Sequence, residues 1–79
     1  MHIVYVLQSL KNPSRYYVGH TDDLTSRLGD HNRGVVFHTA KWRPWKVVVA
    51  LHFADERKAI LFERYLKSGS GRAFAKRHF

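Results

Sequence analysis

Tyr5 and Tyr17 each sit in a short apolar run, Ile3-Val4-Tyr5-Val6-Leu7 and Tyr16-Tyr17-Val18-Gly19. If the runs pair as strands the two phenols become neighbours, and adjacent phenols can supply a general base and a hydrogen bond to a phosphate oxygen. They could equally be a cross-strand aromatic pair in a core, which sheets favour. Arg27 and His31 are four residues apart and share one face of any helix that carries them. Arg offers a fork matched to phosphate oxygens, and His can give or take a proton at a reacting oxygen. A solvated helix edge is the plainer account of that pair. Glu63 falls inside the apolar stripe of Ala59, Phe62 and Leu66. A carboxylate there is costly unless it binds a metal or pairs with a nearby Arg or Lys.

Around these lie residues suited to holding a polyanion. Gly19 interrupts a strand, where a glycine often marks a bulge or the close approach of another group. The stretch Lys67-Ser68-Gly69-Ser70-Gly71-Arg72 has the makings of a phosphate cradle, flexible and flanked by cations, although a helix C-cap followed by an N-cap explains it more simply. Lys41, Trp42, Arg43, Trp45 and Lys46 interleave cations with aromatics, as nucleic-acid surfaces do, unless one or both Trp residues belong to the core. His2, His20, His31, His38, His52 and His78 show no local metal-ligand spacing, so no zinc site is expected.

The elements that must position these groups fit one domain spanning 1–79. A hydrophobic fraction of 44% and an aromatic fraction of 14% are globular values. Fourteen Lys and Arg against six Asp and Glu give a net charge of +8, which favours a polyanionic partner. A membrane partner is not expected, because the cations are dispersed instead of lining one long amphipathic helix and no apolar stretch could span a bilayer. The absence of Cys excludes disulfides and thiolate chemistry. Met1 leads straight into a strand-like run with no signal-peptide pattern, so the expected location is cytoplasmic.

Strands are predicted over 3–7, 15–21 and 45–53. In the last, Trp45, Val47, Val49, Leu51 and Phe53 alternate onto one face. The first two should form a hairpin with a long loop at Asn12-Pro13. A helix capped by Thr21 or Asp22 should run to about Asn32, with Gly34 ending it. Asp55 should cap a second helix over 56–67, and Ser70 could start a third over 71–78. Residues 34–44 read as an irregular connection. The fold class is α/β of the α+β type, a small three-stranded, mainly antiparallel sheet flanked by helices in the order ββαβαα. Tyr5, Tyr17, Arg27, His31 and Glu63 are expected to line one shallow electropositive depression, with Glu63 on Tyr17's side of the sheet.

These residues resemble the GIY-YIG nuclease superfamily, and within it the small stand-alone bacterial members. Ile3-Val4-Tyr5 and Tyr17-Val18-Gly19 stand for the two name-giving motifs. Arg27 and His31 match the helix that follows, Ala59 to Glu63 match the metal-binding helix, and Tyr65 to Phe74 resemble that subgroup's tail. The resemblance covers essentially the whole chain. It implies a metal-dependent endonuclease that hydrolyses phosphodiester bonds, in DNA more readily than RNA. Glu63 would bind one divalent cation, Mg²⁺ with Mn²⁺ as the alternative. Arg27 would contact the scissile phosphate, and a motif tyrosine would help deprotonate the attacking water. Tyr5, Tyr17, Arg27, His31 and Glu63 are thus the candidate catalytic residues. Gly19, His20, Lys41, Arg43, Lys67 and Arg72 are the candidate nucleic-acid contacts. No nucleotide cofactor is expected, and a protein partner could supply specificity. Two positions depart from the family pattern: Ala75 stands where many members carry Asn, and His20 where some carry Lys.

The alternatives are a non-catalytic basic nucleic-acid-binding module on the same scaffold and a small basic interaction protein. The presence of all five candidate catalytic residues favours the nuclease, since binding alone needs only the cations. All polyanion readings share one expectation. With ~4–6 phosphates engaged, affinity for nucleic acid should fall at least tenfold between about 50 and 200 mM salt, as titration by fluorescence anisotropy would show.

Overall fold

The structure, a computed structural model, describes every residue from Met1 to Phe79. Ile3 to Leu7 are all buried, so this run needs cover on both faces and takes the central place in the sheet. That strand is β1 (His2–Ser9). It pairs antiparallel with β2 (Tyr16–Thr21) on one side and β3 (Trp45–Phe53) on the other, giving the order β2-β1-β3. The α+β class and the β1–β2 hairpin stand as expected, and the sheet is antiparallel throughout.

Each face carries its own core. Ile3, Tyr5, Leu7 and Trp45 form one cluster, against which Tyr17, Leu24 and Leu28 pack. Val4, Val6, Ala59 and Leu66 form the other, joined by Val18, Phe62 and Phe74. Leu24 and Leu28 belong to α1 (Leu24–Arg33). Ala59, Phe62 and Leu66 belong to α3 (Glu56–Lys67), and Phe74 to α4 (Gly69–His78). The sheet therefore lies between α1 on one side and the α3–α4 pair on the other.

The alternation predicted for β3 is broken. Val6 pairs with Val49 but Leu7 pairs with Val47, so Val48 is an extra residue in a β-bulge. An inserted residue reverses the parity of everything beyond it. Trp45 and Val47 accordingly join the α1-side cluster, whereas Val49 and Phe53 join the α3-side cluster.

The helix ends follow local chemistry. Asp23, not Thr21 or Asp22, caps α1 by accepting the Ser26 N–H at 3.1 Å, and Thr21 Oγ1 accepts the Asp23 N–H at 3.1 Å. Gly34 ends α1 with φ 79°, in the left-handed region that glycine occupies at little cost. Asp55 caps α3 through the Arg57 N–H at 2.8 Å. The connection 34–44 contains a four-residue helix that periodicity could not reveal, α2 (Phe37–Ala40). The last helix starts at a Ser68 cap rather than at Ser70: Ser68 Oγ accepts the Gly71 N–H at 3.1 Å while donating to the Tyr65 carbonyl at 2.6 Å. One serine closes α3 and opens α4.

The glycine-rich stretch thus serves helix packing. A Cβ on Gly71 would lie 1.6 Å from the Tyr65 carbonyl oxygen, a clash with backbone that no rotamer relieves. Gly71→Ala should destabilise the fold by ~3 kcal/mol, the upper range for overpacking, read as a lowered urea midpoint. A variant as stable as the parent would show that the α3–α4 corner yields.

Candidate active site

β1 and β2 pair with Tyr5 opposite Gly19 and Leu7 opposite Tyr17, so the two tyrosines are diagonal neighbours on the α1 face, ring centroids 6.4 Å apart. The Tyr5 ring lies across Gly19. A Cβ there would stand 2.4 Å from the phenol oxygen. The close approach signalled by Gly19 is therefore that of Tyr5, and Gly19 itself is buried.

Beneath the ring runs a chain of buried polar groups. Tyr5 Oη is 2.9 Å from His31 Nε2, and His31 Nδ1 is 2.7 Å from Thr39 Oγ1. Thr39 Oγ1 donates to the Val36 carbonyl at 3.4 Å, which leaves its lone pairs for a proton on His31 Nδ1. In that tautomer Nε2 accepts from the Tyr5 hydroxyl. His31 is fully buried, Thr39 1% exposed and Tyr5 1% exposed. Trp45 braces the chain by donating its indole N–H to the Thr39 carbonyl at 2.9 Å. Asn32 ties α1 to β3, accepting from the Trp45 N–H at 2.6 Å and donating to its carbonyl at 3.2 Å.

Burial pushes the Tyr5 phenol above its ordinary range; the Arg27 guanidinium opposes the rise, and the Tyr17 phenol and Glu63 carboxylate add to it. Burial also lowers the pKa of His31, helped by the positive charge of Arg27 and opposed by Asp30. Both effects keep the Tyr5–His31 pair neutral, a hydroxyl donor facing an imidazole acceptor. Arg27 is partly exposed beside the pair, with its Nη1 3.9 Å from Asp30 Oδ2. Tyr17 is half-buried, its ring 4.9 Å from that of His31.

Glu63 reaches this place from another direction. It belongs to α3, on the face opposite Tyr17, and comes up beside the edge strand β2. There Oε1 lies 3.9 Å from His20 Nδ1, and Lys67 Nζ donates to Oε2 at 2.9 Å. The expectation of a single depression on one side of the sheet is overturned: Tyr5 and His31 form a buried floor, and Glu63 approaches from the other face. The reason is that α3 buries Ala59 and Leu66 against Val4 and Val6, which commits its carboxylate to that side. The field of Glu63 still bears on the Tyr5 phenol.

Glu63 offers one carboxylate, so a hard cation there would take its other ligands from water and phosphate. Its carboxylate is 21% exposed and paired only with a surface Lys and a His, and Mg²⁺ commonly takes one or two carboxylates plus water and phosphate. No cluster of three or more His, Cys, Asp or Glu converges to form a closed protein cage. Among the candidate nucleic-acid contacts, Lys41 and Arg43 lie together at the far end of the sheet. Arg72 lines a groove of about 820 Å³ with Arg15, Lys67 and Lys76. Thr39 and Asn32 were not foreseen, because neither belongs to a local pattern.

This sheet, with paired tyrosines on two strands, Arg and His on the next helix and Glu on a later one, is the framework of a catalytic domain. The model of the GIY-YIG catalytic domain matches residues 1–77, and the chain belongs to that family. It is 39% identical over 71 residues to the structure-specific endonuclease subunit SLX1 of Candida dubliniensis, covering 81% of this chain and 25% of that protein. It is 37% identical over 70 residues to the Meyerozyma guilliermondii protein of the same name, covering 81% and 24%. The UPF0213 protein YazA of Bacillus subtilis is 34% identical over 67 residues, covering 84% of this chain and 66% of that one. The chain thus spans about a quarter of the length of these fungal relatives. With fungal and bacterial proteins both among them, the superfamily stands but its small bacterial subgroup is not singled out.

The lowered pKa of His31 fixes the sign of one pH effect. Unfolded, the imidazole titrates near 6.5; folded, it takes up a proton only at lower pH. The unfolded state therefore binds more protons between those values, so the stability His31 provides is present above pH 6.5 and lost as pH falls towards the folded pKa. The melting temperature should drop on acidification from about pH 7 to about pH 5, and more steeply than in His31→Gln. Parallel curves for the two proteins would remove His31 from that dependence.

Proposed function

We propose that this domain is a metal-dependent endonuclease that hydrolyses phosphodiester bonds in DNA. The observation that carries the proposal is the buried Tyr5–His31–Thr39 chain, set beside Arg27 and within the field of Glu63. Linked titratable groups whose pKa values burial moves in opposite directions are common at reacting centres.

Each side chain then has a task. Arg27 places its fork on the scissile phosphate and holds it more strongly as charge grows on the oxygens. Tyr17, the more exposed phenol, donates a hydrogen bond to a phosphate oxygen or to the attacking water. As that water attacks phosphorus, its proton passes to solvent through the more exposed Tyr17 phenol, which accepts it as its own proton leaves, and the leaving oxygen takes a proton from solvent. Neutral His31 Nε2 accepts from the Tyr5 hydroxyl and holds that ring in place. Glu63, with His20 alongside, would hold the divalent cation, Mg²⁺ first and Mn²⁺ as the alternative, which supplies a water of lowered pKa and offsets phosphate charge. Gly19 contributes by admitting the Tyr5 ring. His20, Lys41, Arg43, Lys67 and Arg72 contribute charge towards nucleic acid.

The relatives' description as structure-specific endonuclease subunits supports nicked, flapped or branched DNA as substrate, and a protein partner as a source of specificity. One observation favours a non-catalytic binding module instead: Ala75, where many family members carry Asn, packs against the Val4–Leu66 cluster and offers no polar group.

Glu63→Gln separates the two. The lost Glu63–Lys67 pair lies at the surface and is worth about 0.3–0.5 kcal/mol, so the melting temperature should hardly move. Cleavage of a flapped duplex in Mg²⁺ or Mn²⁺ should collapse while binding persists or tightens. Arg27→Ala should slow cleavage by ~10²–10³-fold, the cost of one preorganised donor, with a far smaller loss of binding. A Glu63→Gln protein that cleaves normally, or a parent that cleaves nothing across duplex, nicked, flapped and branched DNA, would sink the nuclease proposal.

A further inference from the structure

Four of the six carboxylates lie at one end of the sheet, together with Arg57 and Lys58, and the loops at the other end carry cations alone. Asp22 and Asp23 follow the end of β2, and Asp55 and Glu56 follow the end of β3. Strand register places both points at the His2 end of β1, since Ile3 pairs with Thr21 and His2 with Phe53. The remaining two acids are occupied, Asp30 by Arg27 and Arg33 and Glu63 by Lys67. The opposite end, where Gln8 meets Tyr16 and Ser9 meets Trp45, carries two loops with Lys11, Arg15, Lys41 and Arg43 and no carboxylate. None of these four cations makes an ion pair.

The loops are built to keep the cations together. Ser9 Oγ donates to the Trp42 carbonyl at 2.6 Å, and the Leu10 N–H donates to the Pro44 carbonyl at 2.9 Å, locking one loop to the other. The Arg15 guanidinium stands 4.3 Å from the centroid of the Trp42 ring and Lys41 Nζ stands 5.1 Å from it. The Lys11 ammonium donates to the Lys41 carbonyl at 3.4 Å, and Arg43 donates to the Ala40 carbonyl at 3.2 Å. Lys11, Lys41 and Arg43 border a recess of about 460 Å³. Gathering like charges without a counter-ion costs free energy, and a bound polyanion returns it with released counterions. Trp42, engaged by two cations, serves here as their platform.

We propose that this basic pole is a nucleic-acid anchor separate from the cleavage centre, gripping the backbone of one duplex arm several nucleotides from the scissile phosphate. The proposal rests on the nuclease reading for the location of the cut. Arg15, Tyr17 and Gly19 alternate along the same edge, so a backbone leaving Arg27 past Tyr17 meets Arg15 next and then the Lys11–Lys41 recess. At ~3.3 Å per strand residue the anchor lies roughly 15–20 Å from Tyr5, about five phosphates along a DNA strand. The anchor therefore contributes to binding of a long arm and nothing to a short one.

The test compares the parent with a Lys11→Gln, Arg15→Gln double variant, after its melting temperature has been shown to match. The probes are a flapped DNA of about 30 base pairs and one cut back to about four base pairs on the anchored arm, of which only the longer reaches the pole. On the long probe the variant should show KM raised several-fold, kcat within about twofold, and a salt slope shallower by about 2. On the short probe parent and variant should coincide. Anisotropy measurements on the Glu63→Gln background read the same binding difference without turnover, so absence of cleavage would count against the nuclease proposal and leave the anchor testable. An unchanged salt slope, an equal loss on both probes, or a loss confined to binding of anionic phosphatidylserine vesicles would each overturn the anchor.

Discussion

The Tyr5–His31 hydrogen bond, buried between β1 and α1, is the constraint around which this small domain is organised. Two polar groups removed from water must satisfy one another and their remaining valences, or each costs more than a surface hydrogen bond returns. Thr39 and the Val36 carbonyl complete that satisfaction, which is why a short helical turn stands in an otherwise irregular connection. Trp45 fixes Thr39, and Asn32 fixes Trp45 against α1. A run of neighbouring contacts thus ties two strands and two helices to one imidazole, and no buried side-chain nitrogen or oxygen is left unpartnered. The ring that donates the hydrogen bond fits only because position 19 has no side chain.

The same constraint explains how so short a chain can support chemistry. A core of this size cannot surround a deep pocket, so the groups of the candidate site share atoms with the fold. The floor of the candidate site is core, formed by Tyr5 and His31, and the solvent-facing part is contributed by Arg27, Tyr17 and Glu63 from its margins. Sharing keeps the groups rigid and their protonation states defined, since burial acts on phenol and imidazole in the sense that keeps both neutral. Glu63 stands beside β2 near His20, on the α3 side of the sheet. Charge is uneven along the sheet, with four of the six carboxylates at one end and, in the loops at the other, four cations that make no ion pair.

Much of this was legible in the chain itself. The span of β3, the span of α3 and its Asp55 cap, the Gly34 terminus of α1 and the central place of Ile3–Leu7 follow from local rules: alternation, helical spacing, side-chain capping and uninterrupted apolarity. The candidate residues Tyr5, Tyr17, Arg27, His31 and Glu63 were likewise named from residue type and spacing. What was not legible depends on contacts between distant segments. Val48 looks like any strand residue until its partner strand shows that it is extra, and that one insertion decides which core receives Trp45. Thr39 lies in a connection without periodicity and matters only because His31 is above it. Gly19 and Gly71 announced close approaches without naming the partner, which proved to be Tyr5 in one case and the Tyr65 carbonyl in the other. The side of the sheet from which Glu63 arrives was settled by the burial of Ala59 and Leu66, a choice between two faces that a helical stripe cannot make alone. Local sequence determines which groups a segment carries and which way they point relative to one another; only packing the segments together decides which groups meet, because burial and register are properties of pairs.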